Sequence, residues 1–132
     1  MAQGGVLFRF GLIADPQYAP LAPIGTRYFA NSLWKLSEAI AALNAQDLAF
    51  VATLGDFIDR GWESFGHILP VYARLRHPHH PIPGNHDFDV APEHLGAVRG
   101  RLGRPEGYYD FAVAGHRFVV IDGTEESLLA HP

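Results

Sequence analysis

Three predicted strands, each followed directly by polar residues, limit the fold of this 132-residue chain more than any other feature. They span residues 6–14, 48–54 and 79–82. The first two are apolar along nearly their whole length, which is typical of strands buried on both faces of a parallel sheet. A turn-rich segment follows the third strand and brings polar groups to its end. The fold must therefore place three polar strand ends around one apolar sheet.

Apolar residues recur at helical spacing between these strands, from Arg27 to Leu43 and from Trp62 to Arg76. Thr26 is a candidate N-cap of the first helix, and Pro70 predicts a kink or interruption in the second. Core positions are expected at Tyr28, Phe29, Leu33 and Trp34. The alternation of strand and helix predicts an α/β fold with a mostly parallel sheet covered by helices.

The last third of the chain carries a different pattern. Pro92 begins a short predicted helix that runs to Arg99. Residues 108–113 and 117–121 then predict a C-terminal hairpin that turns around residues 115–116. Two aspartates, Asp110 and Asp122, are expected to end strands.

Composition excludes several classes of function. Hydrophobic residues make up 48% of the chain and charged residues 18%, as in an ordinary globular protein of at most one domain. No apolar segment approaches the roughly 20 residues of a membrane span, and the N-terminus lacks the regions of a signal peptide. The net charge of −4 and the dispersed basic residues argue against nucleic-acid binding. We therefore expect a cytoplasmic protein with neither a membrane nor a nucleic-acid partner.

The polar residues at the three strand ends predict a metal site. They are Asp15 and Gln17, then Asp56 and Asp59, then Asn85, His86 and Asp87. The carboxyl ends of parallel strands meet at one edge of a sheet, so these side chains should converge there. Close carboxylates repel one another, and two divalent cations about 3.5–4 Å apart would relieve that repulsion. The absence of cysteine leaves oxygen and imidazole ligands, and amide oxygens favour manganese, magnesium or iron over copper.

Eight histidines are many for this length. His77, His79 and His80 precede the third polar segment, and we expect most of them to be solvated or to lie close to the site. Surface or capping positions are expected for His67, His94, His116 and His131. None of these histidines is therefore predicted to bind a metal.

Three short motifs in this order resemble the first three motifs of the calcineurin-like metallophosphoesterases. They are residues 15–17 (DPQ), 55–59 (GDFID) and 84–87 (GNHD). Most members carry histidine where this chain has Gln17. A closer resemblance, to the manganese-dependent ADP-ribose/CDP-alcohol diphosphatases, rests on this glutamine together with residues 26–29 (TRYF) and 119–132 (VVIDGTEESLLAHP). The resemblance implies an α/β/β/α sandwich, of which residues 1–132 would form a single, incomplete domain, the N-terminal half.

The resemblance also implies metal ligands. Asp15 and Gln17 would bind the first of two divalent cations, Asp56 would bridge, and Asn85 would bind the second. Manganese is the implied metal, with magnesium and iron as alternatives.

Further roles follow from the same resemblance. His86 would act as a general acid or stabilise charge on the leaving oxygen, and Asp59 would orient His86. Arg60 could bind a substrate phosphate, because a guanidinium pairs bidentately with phosphate oxygens. The implied substrate is a small nucleotide-diphosphate-linked molecule of the ADP-ribose or CDP-alcohol type, cleaved at its phosphoanhydride bond.

The chain also departs from the family pattern. Members supply further ligands from a later histidine and a Gly-His-X-His motif, and residues 115–118 (GHRF) lack the second histidine. Two alternatives therefore stay open. The chain could be a non-catalytic half-domain with weak metal binding or an interaction role, its apolar sheet face covered by a second copy. It could also be a serine/threonine-phosphatase-like phosphomonoesterase, to which residues 59–61 (DRG) are closer.

Overall fold

A computed structural model describes residues 5–124, and the predicted α/β fold is confirmed. His131, for which a surface role is expected, lies outside the described residues. The regular elements in chain order are β1 Gly11–Ile13, α1 Ser32–Asn44, β2 Val51–Leu54, α2 Trp62–Tyr72, β3 His79–Ile82, α3 Val98–Arg101, β4 Tyr109–Val113 and β5 His116–Val120. Three 3₁₀ turns, Phe29–Asn31, His86–Phe88 and Pro92–Ala97, connect them.

The first three strands form a parallel sheet in the order β1-β2-β3, and β4 and β5 form an antiparallel hairpin. Helices α1 and α2 cover one face of the sheet. The buried core of this layer contains Leu36, Ile40, Phe57, Ile58, Phe65, Ile68, Tyr72, Val98 and Leu102. Two of these residues, Phe57 and Ile58, belong to the polar segment after β2, so the candidate site is anchored directly in the core.

The opposite face of the sheet meets the hairpin through aromatic side chains. His80 stacks on Phe111 with ring centroids 3.5 Å apart, and Phe50 contacts Phe118 at 4.9 Å. A cavity of about 150 Å³ remains between the sheet and the hairpin. Leu12 on β1 and Leu54 on β2 are 54% and 47% exposed beside it. This apolar face is thus only partly covered, as expected from the sequence.

Several element boundaries differ from the sequence prediction: β2 begins at Val51 rather than at residue 48, and the predicted helix from Pro92 to Arg99 is a 3₁₀ turn followed by α3, which ends at Arg101. The first strand is predicted from residue 6, but β1 begins at Gly11, although the Arg9 carbonyl still accepts a 2.8 Å hydrogen bond from Ala49 N–H. The first helix is predicted from Arg27 with Thr26 as its cap, but α1 begins at Ser32. Ile24 and Arg27 exchange two 3.0 Å backbone hydrogen bonds, so Thr26 lies inside a tight turn. The threonine hydroxyl can hydrogen-bond nearby backbone groups, so threonine favours turns as well as helix caps.

The second helix and the hairpin turn also differ in detail. Pro70 lies inside α2 without ending it, and α2 ends at Tyr72 in bonds of 3₁₀ type rather than at Arg76. The hairpin turns at Ala114 and Gly115, whose φ values of 47° and 79° are typical of the primed turns that suit hairpins. His116 is therefore the first residue of β5 and not part of the turn.

Several side chains lie elsewhere than expected. Phe29 is buried, but Tyr28 and Trp34 are 56% and 53% exposed, because α1 packs through Leu36 and Ile40. Asp110 lies inside β4 and bonds Arg117 at 3.0 Å instead of ending the strand. The buried Asp122 does follow β5 and accepts a 2.6 Å bond from Arg99.

The histidine cluster serves packing. His79 and His80 are part of β3 and partly buried, so neither is a solvated surface side chain. His77 is also partly buried, with Nε2 3.1 Å from the Leu43 carbonyl oxygen. His94 stacks on Trp62 at 4.6 Å.

Within residues 5–124, no helix combines the length and apolar character that crossing a bilayer requires.

Candidate metal centre

Three loops meet at the carboxyl edge of the parallel sheet. Backbone hydrogen bonds join the first loop to the second: Gln17 N–H donates to the Asp56 carbonyl at 2.8 Å, and Asp59 N–H donates to the Tyr18 carbonyl at 2.8 Å. The third loop meets the second through the Asp56 side chain, whose Oδ1 accepts a 2.9 Å bond from His86 N–H, and through a 2.9 Å backbone bond from Gly61 N–H to the Asp89 carbonyl. Asp56 is therefore in contact with both neighbouring loops.

The predicted site residues divide into two groups. Gln17, Asp56 and His86 are in direct contact and partly or fully buried. Asp15 and Asn85 are exposed and lie on the same loops, within two residues of a group that contacts Asp56. We call these five residues the strand-end cluster. The contacts of Gln17 and His86 with Asp56 bring the three loops together at this edge of the sheet.

The backbone of the cluster is strained. Asp15, Gln17 and Asp56 have φ values of 48°, 45° and 53°, in the left-handed region that non-glycine residues rarely adopt. This conformation costs roughly 1–2 kcal/mol for a residue with a Cβ. Ala114 of the hairpin turn is the other non-glycine residue with positive φ in residues 5–124. Strain of this kind concentrates at functional sites, where neighbouring structure holds it in place.

Two motif glycines allow the loops to approach each other. A Cβ on Gly84 would overlap the Oδ1 and N atoms of Asp56. A Cβ on Gly55, whose φ is 92°, would lie 2.8 Å from the Cα of Gly84. The second and third loops therefore pack backbone against backbone, and glycine is the residue that fits both positions.

The donor atoms of the cluster fit one side of a cation site. Asp56 is 8% exposed, and its Oδ2 accepts a 3.4 Å hydrogen bond from Nε2 of Gln17, which leaves the amide oxygen of Gln17 for another partner. Carboxylate and amide oxygens are hard ligands, suited to Mn²⁺ or Mg²⁺. In residues 5–124, however, no three histidine, aspartate or glutamate side chains group into a cage for a cation. A cation here would need further ligands or water to complete its coordination.

His86 is held by the second loop, but not through the expected atom. Its Nδ1 lies 3.0 Å from the Asp59 carbonyl oxygen and 3.7 Å from Asp59 Oδ1. A carbonyl oxygen can only accept, so Nδ1 carries the hydrogen and Nε2 is left for other partners. The carboxylate of Asp59 is fully buried, and its Oδ2 accepts a 2.7 Å bond from Arg60 Nε. Asp59 therefore orients His86 mainly through its backbone and supplies a buried negative charge beside the ring.

Arg60 points partly into solvent. Its side chain is 51% exposed, while its Nε is fixed by Asp59. The arrangement anchors a guanidinium next to the cluster and leaves much of it accessible to an anion. That placement is compatible with the predicted phosphate contact.

Sequence reasoning placed Asp87 at this edge but assigned it no role. The residue is fully buried, and Oδ1 accepts a 3.1 Å bond from Ile58 N–H while Oδ2 accepts a 2.8 Å bond from Gly84 N–H. Burial raises the pKa of Asp87 to about 6, although the backbone hydrogen bonds act in the opposite direction. Asp87 thus joins the second and third loops, and the sequence signal for this contact is its position directly after the histidine of the third motif.

A second residue missed by the sequence reasoning is Tyr18, which follows Gln17. Tyr18 is buried, and its hydroxyl lies 2.9 Å from Nδ1 of His67 on α2. Burial raises the pKa of Tyr18, and the tautomer of His67 sets which of the two groups donates this hydrogen bond. The pair ties the first loop to the helix layer.

Two open cavities flank the first loop. One has a volume of about 320 Å³ and is lined by Asp15, Ser32 and Lys35 among others. The other, of about 190 Å³, is lined in part by Gln17 and Arg27. Each cavity thus places a basic side chain within reach of the loop that carries the predicted ligands.

Comparison with known proteins connects this geometry to one family. The sequence model of the calcineurin-like phosphoesterases matches residues 8–131. Proteins named manganese-dependent ADP-ribose/CDP-alcohol diphosphatase from Arabidopsis thaliana and Oryza sativa are each 31% identical, over 96% of this chain and 45% and 44% of their own lengths. The human protein of that name is 36% identical over 62% of this chain.

A solved structure agrees with these matches. The crystal structure of a dimetal phosphatase from Danio rerio superposes with a TM-score of 0.68 at 28% identity. The match covers 96% of this chain and 47% of that protein. The plant and zebrafish proteins match nearly all of this chain, and the chain spans a little less than half of their length.

Proposed function

Because the chain belongs to the calcineurin-like phosphoesterase family, we propose that it is a dimetal phosphoesterase that hydrolyses phosphoanhydride bonds, with the strand-end cluster supplying part of its metal ligands. The proposed substrates are small nucleotide-diphosphate-linked molecules of the ADP-ribose or CDP-alcohol type. The names of the relatives and the glutamine at position 17 support this substrate class. The observation that carries the proposal is the meeting of three strand-end loops around the buried carboxylate of Asp56.

The proposed ligands are the hard oxygen donors of the strand-end cluster. Asp15 and Gln17 would hold one divalent cation, Asp56 would be shared, and Asn85 would hold the second. Mn²⁺ is the first choice because the relatives are named manganese-dependent, with Mg²⁺ or iron as alternatives. When bound, such a pair polarises a phosphoryl group and makes water more acidic.

The proposed chemistry of the protein groups follows from their hydrogen bonds. His86 directs Nε2 away from the Asp59 carbonyl, so in its protonated form this nitrogen can give a proton to the leaving oxygen. The buried carboxylate of Asp59, 3.7 Å from Nδ1, stabilises the positive charge on the ring. Arg60 would pair with a phosphate oxygen while Asp59 holds its Nε.

One alternative function has an observation in its favour. The chain spans less than half of its relatives, and residues 5–124 offer no cage of three histidine or acidic side chains. A non-catalytic half-domain with weak metal binding, its apolar face covered by a second copy, would have both properties.

An assay of the full 132-residue chain with Mn²⁺ separates these functions. The substrates are ADP-ribose, CDP-choline and p-nitrophenyl phosphate, and Mn²⁺ binding is measured by calorimetry. We expect hydrolysis of the first two, with a loss of kcat/KM of about 100-fold or more in Asp56→Asn. The matched control is Asp110→Asn, which removes an exposed carboxylate on the hairpin.

Each other outcome points to a different conclusion. Full activity in Asp56→Asn would refute the assignment of the shared ligand. No hydrolysis together with one weak Mn²⁺ site or none would favour the half-domain. Hydrolysis of p-nitrophenyl phosphate alone would favour a phosphomonoesterase.

A further inference from the structure

Asp87 is a fully buried carboxylate that the proposed chemistry does not use. Its two oxygens accept hydrogen bonds from backbone N–H groups on different loops. Ile58, two residues after Asp56, donates to Oδ1 at 3.1 Å, and Gly84, one residue before Asn85, donates to Oδ2 at 2.8 Å. One side chain thus connects the loops that carry two predicted metal ligands.

The chemistry of these two bonds requires a carboxylate. Burying a charge is costly unless it is well hydrogen-bonded, and a buried backbone N–H must also find an acceptor. An ionised carboxylate accepts through both oxygens, whereas an asparagine amide presents one acceptor and one donor. Replacing Asp87 by asparagine would therefore leave either Ile58 N–H or Gly84 N–H facing another donor.

The contact between the second and third loops depends on side-chain hydrogen bonds more than the contact between the first and second loops does. Backbone hydrogen bonds join Gln17 and Tyr18 to the loop after β2. The segment that begins at Gly84 is held at its start by the carboxylates of Asp56 and Asp87, while a backbone bond from Gly61 N–H to the Asp89 carbonyl oxygen at 2.9 Å joins the far ends of the two loops. Gly84 also packs so closely on Asp56 that no Cβ would fit between them. A shift of Gly84 would therefore move the third loop relative to Asp56.

We propose that Asp87 is a positioning residue that sets the distance between Asp56 and the Asn85–His86 segment, and thereby the affinity of the site for its second cation. The part concerning the cation rests on the function proposed above. The part concerning the two loops rests on hydrogen bonds within this chain and holds without metal. The two parts are tested by separate measurements.

Manganese binding tests the first part. The full chain and its Asp87→Asn, Asp87→Glu and Asp122→Asn variants are titrated calorimetrically with Mn²⁺, and their Tm values are recorded. Asp122 is a matched control, because it is also a buried aspartate, with Arg99 and Thr124 rather than the cluster as its partners.

We expect Asp87→Asn to weaken Mn²⁺ binding by about 10–100-fold, as is usual when a group that supports a ligand is lost. Asp122→Asn should lower Tm but change Mn²⁺ affinity less than about twofold, because it removes fold stability alone. Asp87→Glu keeps both acceptor oxygens and should recover most of the affinity. Equal effects of Asp87→Asn and Asp122→Asn on Mn²⁺ affinity would overturn the proposal.

Amide hydrogen exchange in metal-free protein tests the second part, and it decides the matter even when the wild-type chain binds no Mn²⁺. A wild-type chain that binds no Mn²⁺ would reject the proposed function, but it would leave open whether Asp87 positions the two loops. In Asp87→Asn we expect the His86 amide, which bonds Asp56 and not Asp87, to exchange at least about tenfold faster than in Asp122→Asn. An unchanged rate would refute positioning.

The wild-type chain provides a further test for the case in which Asp87→Asn does not fold. If one carboxylate holds both loops, the amides of Ile58, Gly84 and His86 should exchange with a common free energy of opening. Unrelated values for His86 and the other two amides would refute the proposal.

Discussion

Protonation of His79 should destabilise the fold in mildly acidic solution. The ring of this β3 residue stacks on Tyr72 with centroids 4.9 Å apart and planes 9° from parallel. Its Nε2 lies 2.8 Å from the hydroxyl of Thr53, a fully buried residue of β2. A proton added to this ring would place a positive charge between the sheet and the helix layer.

The size and sign of the effect follow from the pKa. Burial, with smaller contributions from His80 and Arg104, lowers the pKa of His79 from 6.5 to about 4. Between these values the unfolded chain binds a proton that the folded chain resists, so stability falls as the pH falls through this window. The expected loss is about 2 kcal/mol by pH 5 and about 3 kcal/mol by pH 4.

Asp87 acts with the opposite sign. Burial raises its pKa to about 6, so the folded chain binds a proton at a higher pH than the unfolded chain does. The contribution of Asp87 to the free energy of unfolding therefore increases as the pH falls from about 6 to 3.8. The pH dependence of the wild-type chain alone therefore contains both effects. The contribution of His79 must be measured as a difference between variants.

The measurement is urea unfolding followed by circular dichroism at pH 7 and pH 5. His79→Phe keeps the aromatic stack on Tyr72, loses the Thr53 bond and cannot titrate, so it should lose about 2 kcal/mol less than wild type on acidification. His116→Phe on the exposed edge of β5 is the matched control and should behave like wild type. If all three proteins lose the same free energy between pH 7 and pH 5, the assignment to His79 is refuted.

Three further predictions concern the loops of the candidate site and helix α2. Gly84→Ala should cost about 2 kcal/mol or more in urea unfolding, because its Cβ would overlap Asp56, and unchanged stability would contradict the close packing. Gly66→Ala, at a helical position with open space around the new Cβ, should instead stabilise the chain by about 0.5–1 kcal/mol, and the same unfolding curves test its sign. Tyr18→Phe should cost about 1 kcal/mol through its bond to His67, and a double-mutant cycle with His67→Ala that shows no coupling would rule that bond out.

Much of the fold could be predicted from the sequence because strand order and polar strand ends leave a direct pattern. The bounds of β3 agree with the prediction, and Asp15 and Asp56 follow β1 and β2 as expected. The pattern does not tell which side of a helix is buried, so Trp34 is exposed although it is apolar. It does not separate a cap from a turn either, as Thr26 shows.

The proximity of Asp59 to His86 was predictable from the sequence, but the atoms that make the contact were not. The sequence indicates that Asp59 and His86 are neighbours, and they are. The path of the backbone after β2 then brings the carbonyl oxygen of Asp59 closer to Nδ1 than its carboxylate, which binds Arg60 instead. The role of Asp87 depends on two N–H groups that are distant in sequence, and no local pattern encodes that contact.

The strained residues distinguish a functional loop from an ordinary turn. At the hairpin, a positive φ at Ala114 is followed by Gly115, and the turn geometry alone accounts for both. In the strand-end cluster, positive φ values fall on Asp15, Gln17 and Asp56, where glycine would remove a cost of roughly 1–2 kcal/mol at each position. A chain that required only stability would gain from glycine at positions 15 and 17, whereas the Asp56 carboxylate also holds the third loop through His86 N–H. That these three positions keep oxygen-bearing side chains is the physical reason to expect the loops to bind a cation.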